Sequence, residues 1–402
     1  MKNHGIEKDT VLPMTPLSER ETVLKNDIEY VEVRNADFNI IGIIDNASSI
    51  IWHSVYYGVG DFEIYIKVTQ RILDMLQIGY YITRSNDIEV GIIEAINVID
   101  NVQDGKMITA TGRFAKSILD RRHIYKLSGA INTPTILRGN VEKSIRQTVS
   151  DNAISCTDTR RNIPVLELGA LANIGLIIVD DAGAAAQKQV SYQNLLSYTD
   201  GVLQEYEMAS IVILDTERAK LQYIVYAGTD RSVTNGDGNA PIVFSKEFDN
   251  LSDSTYTYDT TAEKNTALIG GAGEDINRFY VLLAGSETGL ARRETWIDAS
   301  SVNREYDNES GEKTTYPDSV YTEMLKTEAM QDMEDMKTVE SFSGTIDITN
   351  GNFVYNRNFA LGDVVTVQDN DIGKFVNVRI LEVTEVQDEN GYKIEATYDV
   401  RG

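Results

Sequence analysis

From Tyr30 to Gly112 the chain alternates apolar and polar residues in short runs. Val31 and Val33 interleave with Glu32 and Arg34. Similar runs follow at residues 38–44, 50–57, 61–66, 79–83, 89–94 and 106–112. A period of two places alternate side chains on one sheet face, so each run reads as a short strand. Turn residues such as Asn86-Asp87 and Gln103-Asp104-Gly105 separate them. Strands at this spacing predict a small barrel or sandwich over roughly residues 30–115. The first 29 residues read as a polar arm, with a short helical piece around Ser18-Glu19-Arg20-Glu21.

From 116 to 206 the period becomes helical. Val141, Ile145 and Val149 share one face at i, i+4 and i+8. A second amphipathic stretch runs from Ser191 to Leu203, and strand-like runs lie between at 165–168 and 175–179. Residues 210–214 and 221–226 predict a hairpin across 215–220, which makes this a mixed α+β module. Strand-like runs return at 242–245, 254–258, 266–271, 278–283 and 293–298, and 301–318 reads as a polar loop. Residues 319–338 give the strongest helix, with Tyr321, Leu325, Ala329, Met333 and Met336 in one stripe. From Val339 to Val400 the pattern is β again, and Asn390-Gly391 between two runs is a hairpin signal. The expected fold class is α+β, mostly β, with two barrel-like tube modules and an α+β insert. The expected units are an arm at 1–29, a β-barrel at 30–128, an α+β domain at 129–235, a second tube-like β domain with a terminal helix at 236–340, and a C-terminal β domain at 341–402.

Composition narrows the function. The 402 residues carry 37 Lys+Arg and 62 Asp+Glu, a net charge of −25. Such an excess of carboxylate argues against gripping nucleic-acid phosphates or anionic lipid. With 42% hydrophobic residues the chain is expected to fold. The single cysteine, Cys156, precludes an intrachain disulfide. The N-terminus lacks the apolar stretch of a secretory signal, and the longest apolar runs are too short to span a bilayer. No solenoid period is present.

Candidate chemistry is sparse. The only histidines are His4, His53 and His123, without Cys or His at zinc-ligand spacing. No G-x-S-x-G elbow occurs, and Cys156 reads as a small buried hydrophobe. Asp369-Asn370-Asp371-Ile372-Gly373-Lys374 resembles the start of a calcium loop. It fails because the glycine falls at position five and Ile380 stands at position twelve, so a polar turn is expected. Gly270-Gly271-Ala272-Gly273 is followed by Glu274-Asp275 where a phosphate cradle needs Lys and Ser/Thr, so a turn is expected there too. With 62 acids, a pair resembling a glycosidase dyad is uninformative. Tyr, Trp52 and Trp296 suit either a glycan groove or barrel packing. No catalytic, cofactor-binding or metal-ligating residue is assigned, no cofactor is expected, and the chain reads as a non-enzyme.

Ordered segments carry a resemblance. Val33-Arg34-Asn35-Ala36-Asp37-Phe38, Ser49-Ile50-Ile51-Trp52 and Gly58-Val59-Gly60-Asp61-Phe62-Glu63-Ile64 open the first module. Phe244-Ser245-Lys246-Glu247-Phe248, Asn265-Thr266-Ala267-Leu268-Ile269-Gly270-Gly271 and Gly289-Leu290-Ala291-Arg292-Arg293-Glu294-Thr295-Trp296 follow. Leu361-Gly362-Asp363-Val364-Val365 and Arg379-Ile380-Leu381-Glu382-Val383 close the series. In this order, over about residues 30–400, they resemble tail hub proteins of siphophages and related phage-tail-like particles. The resemblance implies a baseplate-hub-like homotrimer whose two barrel-like modules per chain form a pseudo-sixfold ring. Its implied partners are the distal tail protein, the tail tube protein, the tape measure protein, and tip, spike or fibre proteins. It implies a place in the virion tail or tail-like particle, after assembly in the bacterial cytoplasm, with neither membrane insertion nor specific nucleic-acid binding. Because β structure runs to the end of the chain, no cell-wall lysin is expected in this polypeptide. A glycan-binding adhesin and a cell-wall hydrolase are the alternative readings. On the hub reading, part of the negative charge is expected to line the channel and repel passing DNA.

Overall fold

The structure is a computed structural model that describes residues 28, 30–84, 87–102, 105–128, 131–179, 186–307, 312–346 and 353–400. The expected arm, apart from Ile28, lies outside the described residues, as do Asn86, Gln103 and Asp104 of the expected turns.

The molecule is mostly β, and its largest sheet joins strands from both ends of the chain. Among the described residues its ladder runs Leu251–Asp259, Val339–Ile346, Gly391–Val400, Lys374–Asp388, Ser49–Val55, Asp61–Lys67, Gly105–Arg113, Ala95–Asn101. Val364–Asp369 adds to Lys374–Asp388, and Val243–Ser245 lies parallel beyond it. Lys374–Asp388 is therefore common to two modules. Its first part pairs with Val364–Asp369, from Asp369↔Lys374 to Val364↔Arg379. Its second part pairs with Ser49–Val55, from Glu382↔Val55 to Asp388↔Ser49. The change of partner falls at a bulge between Ile380 and Glu382. There the Leu381 carbonyl accepts from the Tyr56 amide at 2.7 Å. A bulge bends and twists a strand, which lets one strand serve two differently oriented neighbours.

Each module has its own core. Alternation in Ser49–Val55 and Asp61–Lys67 buries Ile50, Trp52, Phe62, Ile64 and Ile66 with Ile108 and Phe114. Phe244, Phe342, Val365, Val378, Ile380 and Tyr398 fill the other.

A buried ion cluster ties the two modules side by side. Arg84 donates to Glu385 at 3.0 Å and to Asp87 at 2.8 Å. Its guanidinium lies 5.1 Å over the Trp52 ring, and the Tyr392 hydroxyl donates to Glu385. Burial opposes the Arg84 cation, but Asp87 and Glu385 outweigh it and raise the pKa further.

The insert explains its own helices. Helix α2 (Val141–Val149) starts at Asn140, whose side chain accepts from the Lys143 amide at 2.9 Å. Val141, Ile145 and Val149 are fully buried, as the spacing required. Helix α3 (Leu195–Glu205) is capped in the same way by Asn194. Behind them Lys220–Ala227 pairs antiparallel with Met208–Asp215, the expected hairpin, and parallel with Leu166–Leu168.

Several expectations need correction. Residues 175–179 form no strand; they run extended over the start of α2, where the Leu176 carbonyl accepts from the Val141 amide at 3.0 Å. A helix N-terminus leaves amides without intrahelical partners, and this segment takes one. Within 301–318, expected to be loop, Glu305–Asp307 pairs with Lys313–Thr315, and the Tyr306 and Tyr316 rings stack at 4.4 Å. Elements not foreseen include the strand Ala95–Asn101, the paired strands Thr135–Arg138 and Gln187–Val190, and the short helix α1 (Gln70–Met75), capped by Thr69.

The last helix, α3's neighbour α4 (Asp318–Glu334), covers one face of a small sheet with Tyr321, Met324, Leu325 and Ala329. Its other side meets the insert through polar groups. Gln193 of the insert donates to Glu328 of α4, beside the insert's own Lys188–Glu205 ion pair at 2.6 Å. Burial, and then Asp332, push the Glu328 carboxyl up to about 7; Lys188 and the Gln193 hydrogen bond oppose this.

Two outcomes follow from this packing. Glu385→Leu leaves the buried Arg84 with Asp87 alone and should cost about 3–5 kcal/mol in urea unfolding, whereas Arg84→Met with Glu385→Leu should cost distinctly less. An equal loss in both would contradict the coupling. The raised Glu328 pKa favours the folded state while the carboxyl is protonated, so its contribution is fully present below about pH 4.5 and fades as pH rises to about 7. Glu328→Gln should therefore stabilise at pH 8 by about 1–3 kcal/mol and show a smaller gain at pH 5. Melting curves at the two pH values check this.

Candidate assembly surface

The residues singled out in the sequence are dispersed in the fold. His53 sits between carboxylates of neighbouring strands, 3.5 Å from Glu382 and 3.4 Å from Asp61. The Glu382 hydrogen bond, aided by Asp61, raises its pKa against the effect of burial. His123 makes an isolated backbone bridge with Asn194. Cys156 is buried, and burial pushes its thiol pKa up. Asp369 accepts from the Asp371 amide at 2.9 Å within a polar turn, and pairs with Lys246 of a neighbouring segment at 3.2 Å. Among the described residues no three His, Cys, Asp or Glu side chains converge as metal ligands.

The Gly-rich stretch has a packing reason. A Cβ on Gly271 would lie 2.7 Å from Tyr321 Oη and from Leu325 Cδ1 of α4. The Tyr321 hydroxyl accepts from the Ala272 amide at 2.8 Å and donates to the Val302 carbonyl at 2.9 Å. Glycine here lets the turn close onto the helix.

A second junction holds the insert to both β modules. The Tyr56 hydroxyl donates to the Glu207 carbonyl at 2.9 Å and accepts from the Gly228 amide at 3.1 Å. Arg379 reaches Glu207 at 2.9 Å with its guanidinium 5.5 Å from the Tyr56 ring centre. Gly362, at φ +88°, passes so close that a Cβ would lie 2.2 Å from Tyr56 Cε2. Asp363 accepts from the Thr229 amide at 2.7 Å and from Arg231 at 2.8 Å. These contacts fix the point where the insert returns to the C-terminal strands.

The outward chemistry is apolar at one place in particular. The small sheet has Thr266–Gly270 at its centre, antiparallel to Tyr280–Ala284 and parallel to Glu294–Asp298. Its inner face lies on α4. On the outer face Leu268 stands opposite Leu282 and Trp296, with Tyr280 beside Trp296 at a ring separation of 6.2 Å. These four are 43–55% exposed. Nearby charges are paired within the sheet: Arg278 with Asp298, and Arg292 with Glu294 at 2.6 Å. A contiguous apolar face bordered by balanced charge is a candidate surface for protein–protein contact. A further open ladder edge is Ala95–Asn101, where Val98 and Ile99 are half-exposed.

Sequence reasoning missed this face, although a signal was present. Ala267-Leu268-Ile269, Val281-Leu282-Leu283 and Trp296-Ile297 are consecutive apolar residues, so both faces of the sheet had to be apolar. One α-helix can cover only one of them. Trp52, by contrast, is fully buried.

Comparison with known proteins agrees with this architecture. Residues 30–398 match the family described as Siphovirus ReqiPepy6 Gp37-like protein. The solved tail protein from Neisseria meningitidis MC58 aligns with a TM-score of 0.55 at 11% identity, covering 93% of this chain and 97% of that one. The 43 kDa tail protein of prophage MuSo2 from Shewanella oneidensis aligns with a TM-score of 0.53 at 11% identity, covering 92% and 98%. At such identity the likeness is one of fold. No curated protein matches the chain in sequence. The sequence match, spanning both β modules and the insert, places the chain in the Siphovirus ReqiPepy6 Gp37-like protein family.

Proposed function

We propose that this phage tail protein is a structural hub: a homotrimeric ring at the distal end of the tail tube, with no enzymatic activity of its own. The observation that carries the reading is the shared strand Lys374–Asp388, which fuses two β modules into one ladder. A trimer of such chains presents six β modules around an axis, the arrangement needed to meet a sixfold tube. The units 30–128, 129–235, 236–340 and 341–402 belong to this reading as the first tube module, the insert, the second module and its closing strands. The apolar face of Leu268, Leu282 and Trp296 and the edge Ala95–Asn101 are the surfaces available to neighbouring copies or to the distal tail, tube, tape measure and tip proteins. The protein's place is then the virion tail or an equivalent particle, reached by assembly in the host cytoplasm.

Three chains at −25 each total −75. Part of this charge faces the channel, where it repels DNA phosphate and keeps the genome from sticking. Electron microscopy of purified particles tests both statements. The expected map has a threefold ring of this chain at the distal tube end with an acidic channel wall. A chain that stays monomeric and apart from particles contradicts the hub, and a basic or neutral wall contradicts the channel role.

A further inference from the structure

Charge is not evenly distributed along this acidic chain. Residues 121–179 hold eight Lys+Arg and four Asp+Glu, a net of +4 in a chain of −25. Several of these cations are already engaged. Arg161 donates to the Tyr125 carbonyl at 3.1 Å, and Arg146 donates to the Gly169 carbonyl at 2.6 Å. Arg160 holds Asp158 through two hydrogen bonds at 2.8 and 2.9 Å. Arg121 pairs with Glu94 at 3.8 Å and Arg122 donates to the Arg161 carbonyl at 2.7 Å. Lys126, Arg138 and Lys143 remain; all three are exposed, and none has an ion-pair partner among the described residues.

These three cations border two adjoining hollows of about 310 and 340 Å³. The hollows share Lys126, Thr135 and Asp151, so they form one elongated depression beside α2. Its carboxylates are Asp158, matched by Arg160, and Asp151, which accepts from Gln147 at 2.6 Å. Thr135, Gln147 and Thr157 offer hydroxyl and amide groups along its length, while the Ser144 hydroxyl donates to the Arg138 carbonyl at 2.7 Å. Where α2 ends, the backbone winds into a π-helical turn at Ser150–Ile154, which sets Asp151 and Asn152 on the wall. Such turns are rare and are found frequently at functional sites.

We propose that this depression binds an anionic polyol or sugar chain. Its phosphate or carboxylate groups sit on Lys126, Arg138 and Lys143, and its hydroxyls bond to Thr135, Thr157 and Gln147. Single-stranded nucleic acid fits less well because it needs bare aromatic platforms. Here the Tyr125 ring is already covered by Arg161, whose guanidinium lies 3.7 Å from its centre. An acidic peptide fits less well because the lining is mainly polar, with Leu127, Pro134 and Ile136 as its larger apolar members. The inference is independent of ring formation, since the depression is built within one chain.

Calorimetric titration of the full chain tests it, with poly(glycerol phosphate), oligogalacturonate, neutral dextran, oligo-dT and poly-glutamate as probes. Binding of poly(glycerol phosphate), oligogalacturonate or both is expected, weakening with added salt, and whichever binds assigns the anionic group as phosphate or carboxylate. Lys126→Glu with Lys143→Glu should lower that affinity by about tenfold or more at an unchanged melting temperature. Arg138→Glu alone should lower it less. The proposal is overturned by no binding of either anionic polyol chain, by dextran binding equally well, by tighter binding of oligo-dT or poly-glutamate, or by affinities that the substitutions leave unchanged.

Discussion

Lys374–Asp388 is hydrogen-bonded to three other strands, and the two β modules cannot separate without breaking that ladder. Backbone groups buried in a sheet must keep their partners, so a strand shared in this way fixes relative position more firmly than surface contacts do. The bulge at Leu381 lets one strand turn from Val364–Asp369 to Ser49–Val55. Around it lie the two polar junctions, Arg84 with Asp87 and Glu385, and Tyr56 with Arg379 and Glu207. The first is wholly buried and in the second Arg379 is buried while Glu207 reaches solvent, so both guanidinium charges are held by partners and not by water. Geometry is set by the ladder, and the ion pairs make alternative geometries costly.

That arrangement suits a part that transmits position. The proposed ring role needs surfaces held at a constant angle, and the exposed apolar surfaces here are extensions of the same framework. The outer face of Leu268, Leu282 and Trp296 is backed by α4, and α4 is backed by the insert through Glu328 and Gln193. The insert in turn is pinned at Tyr56.

Much of the fold was legible in the sequence because alternation and helical spacing are local. Val141, Ile145, Val149 and Tyr321, Leu325, Ala329 sit where their spacing placed them. The Asn390-Gly391 hairpin is present, with Gly391 at φ +106°. What the sequence hid is non-local. Nothing near Glu385 indicates that it meets Arg84, 301 positions away, and nothing in residues 374–388 indicates two partners. Residues 175–179 misled because Leu176, Ile177, Ile178 and Val179 have strand-like composition, yet they cover the start of α2. The candidate surface was half-visible: the apolar runs were read as strands, but their second apolar face was not drawn out.

The central claim is that the two β modules and their shared strand form one cooperative unit. Native-state hydrogen exchange in low denaturant measures this most directly. Amides in Ser49–Val55, Asp61–Lys67, Val364–Asp369 and Lys374–Asp388 should merge to a single opening free energy with a single denaturant slope. Separate free energies and slopes for the strands on either side of Leu381 would mean that the modules open independently, and would contradict the account.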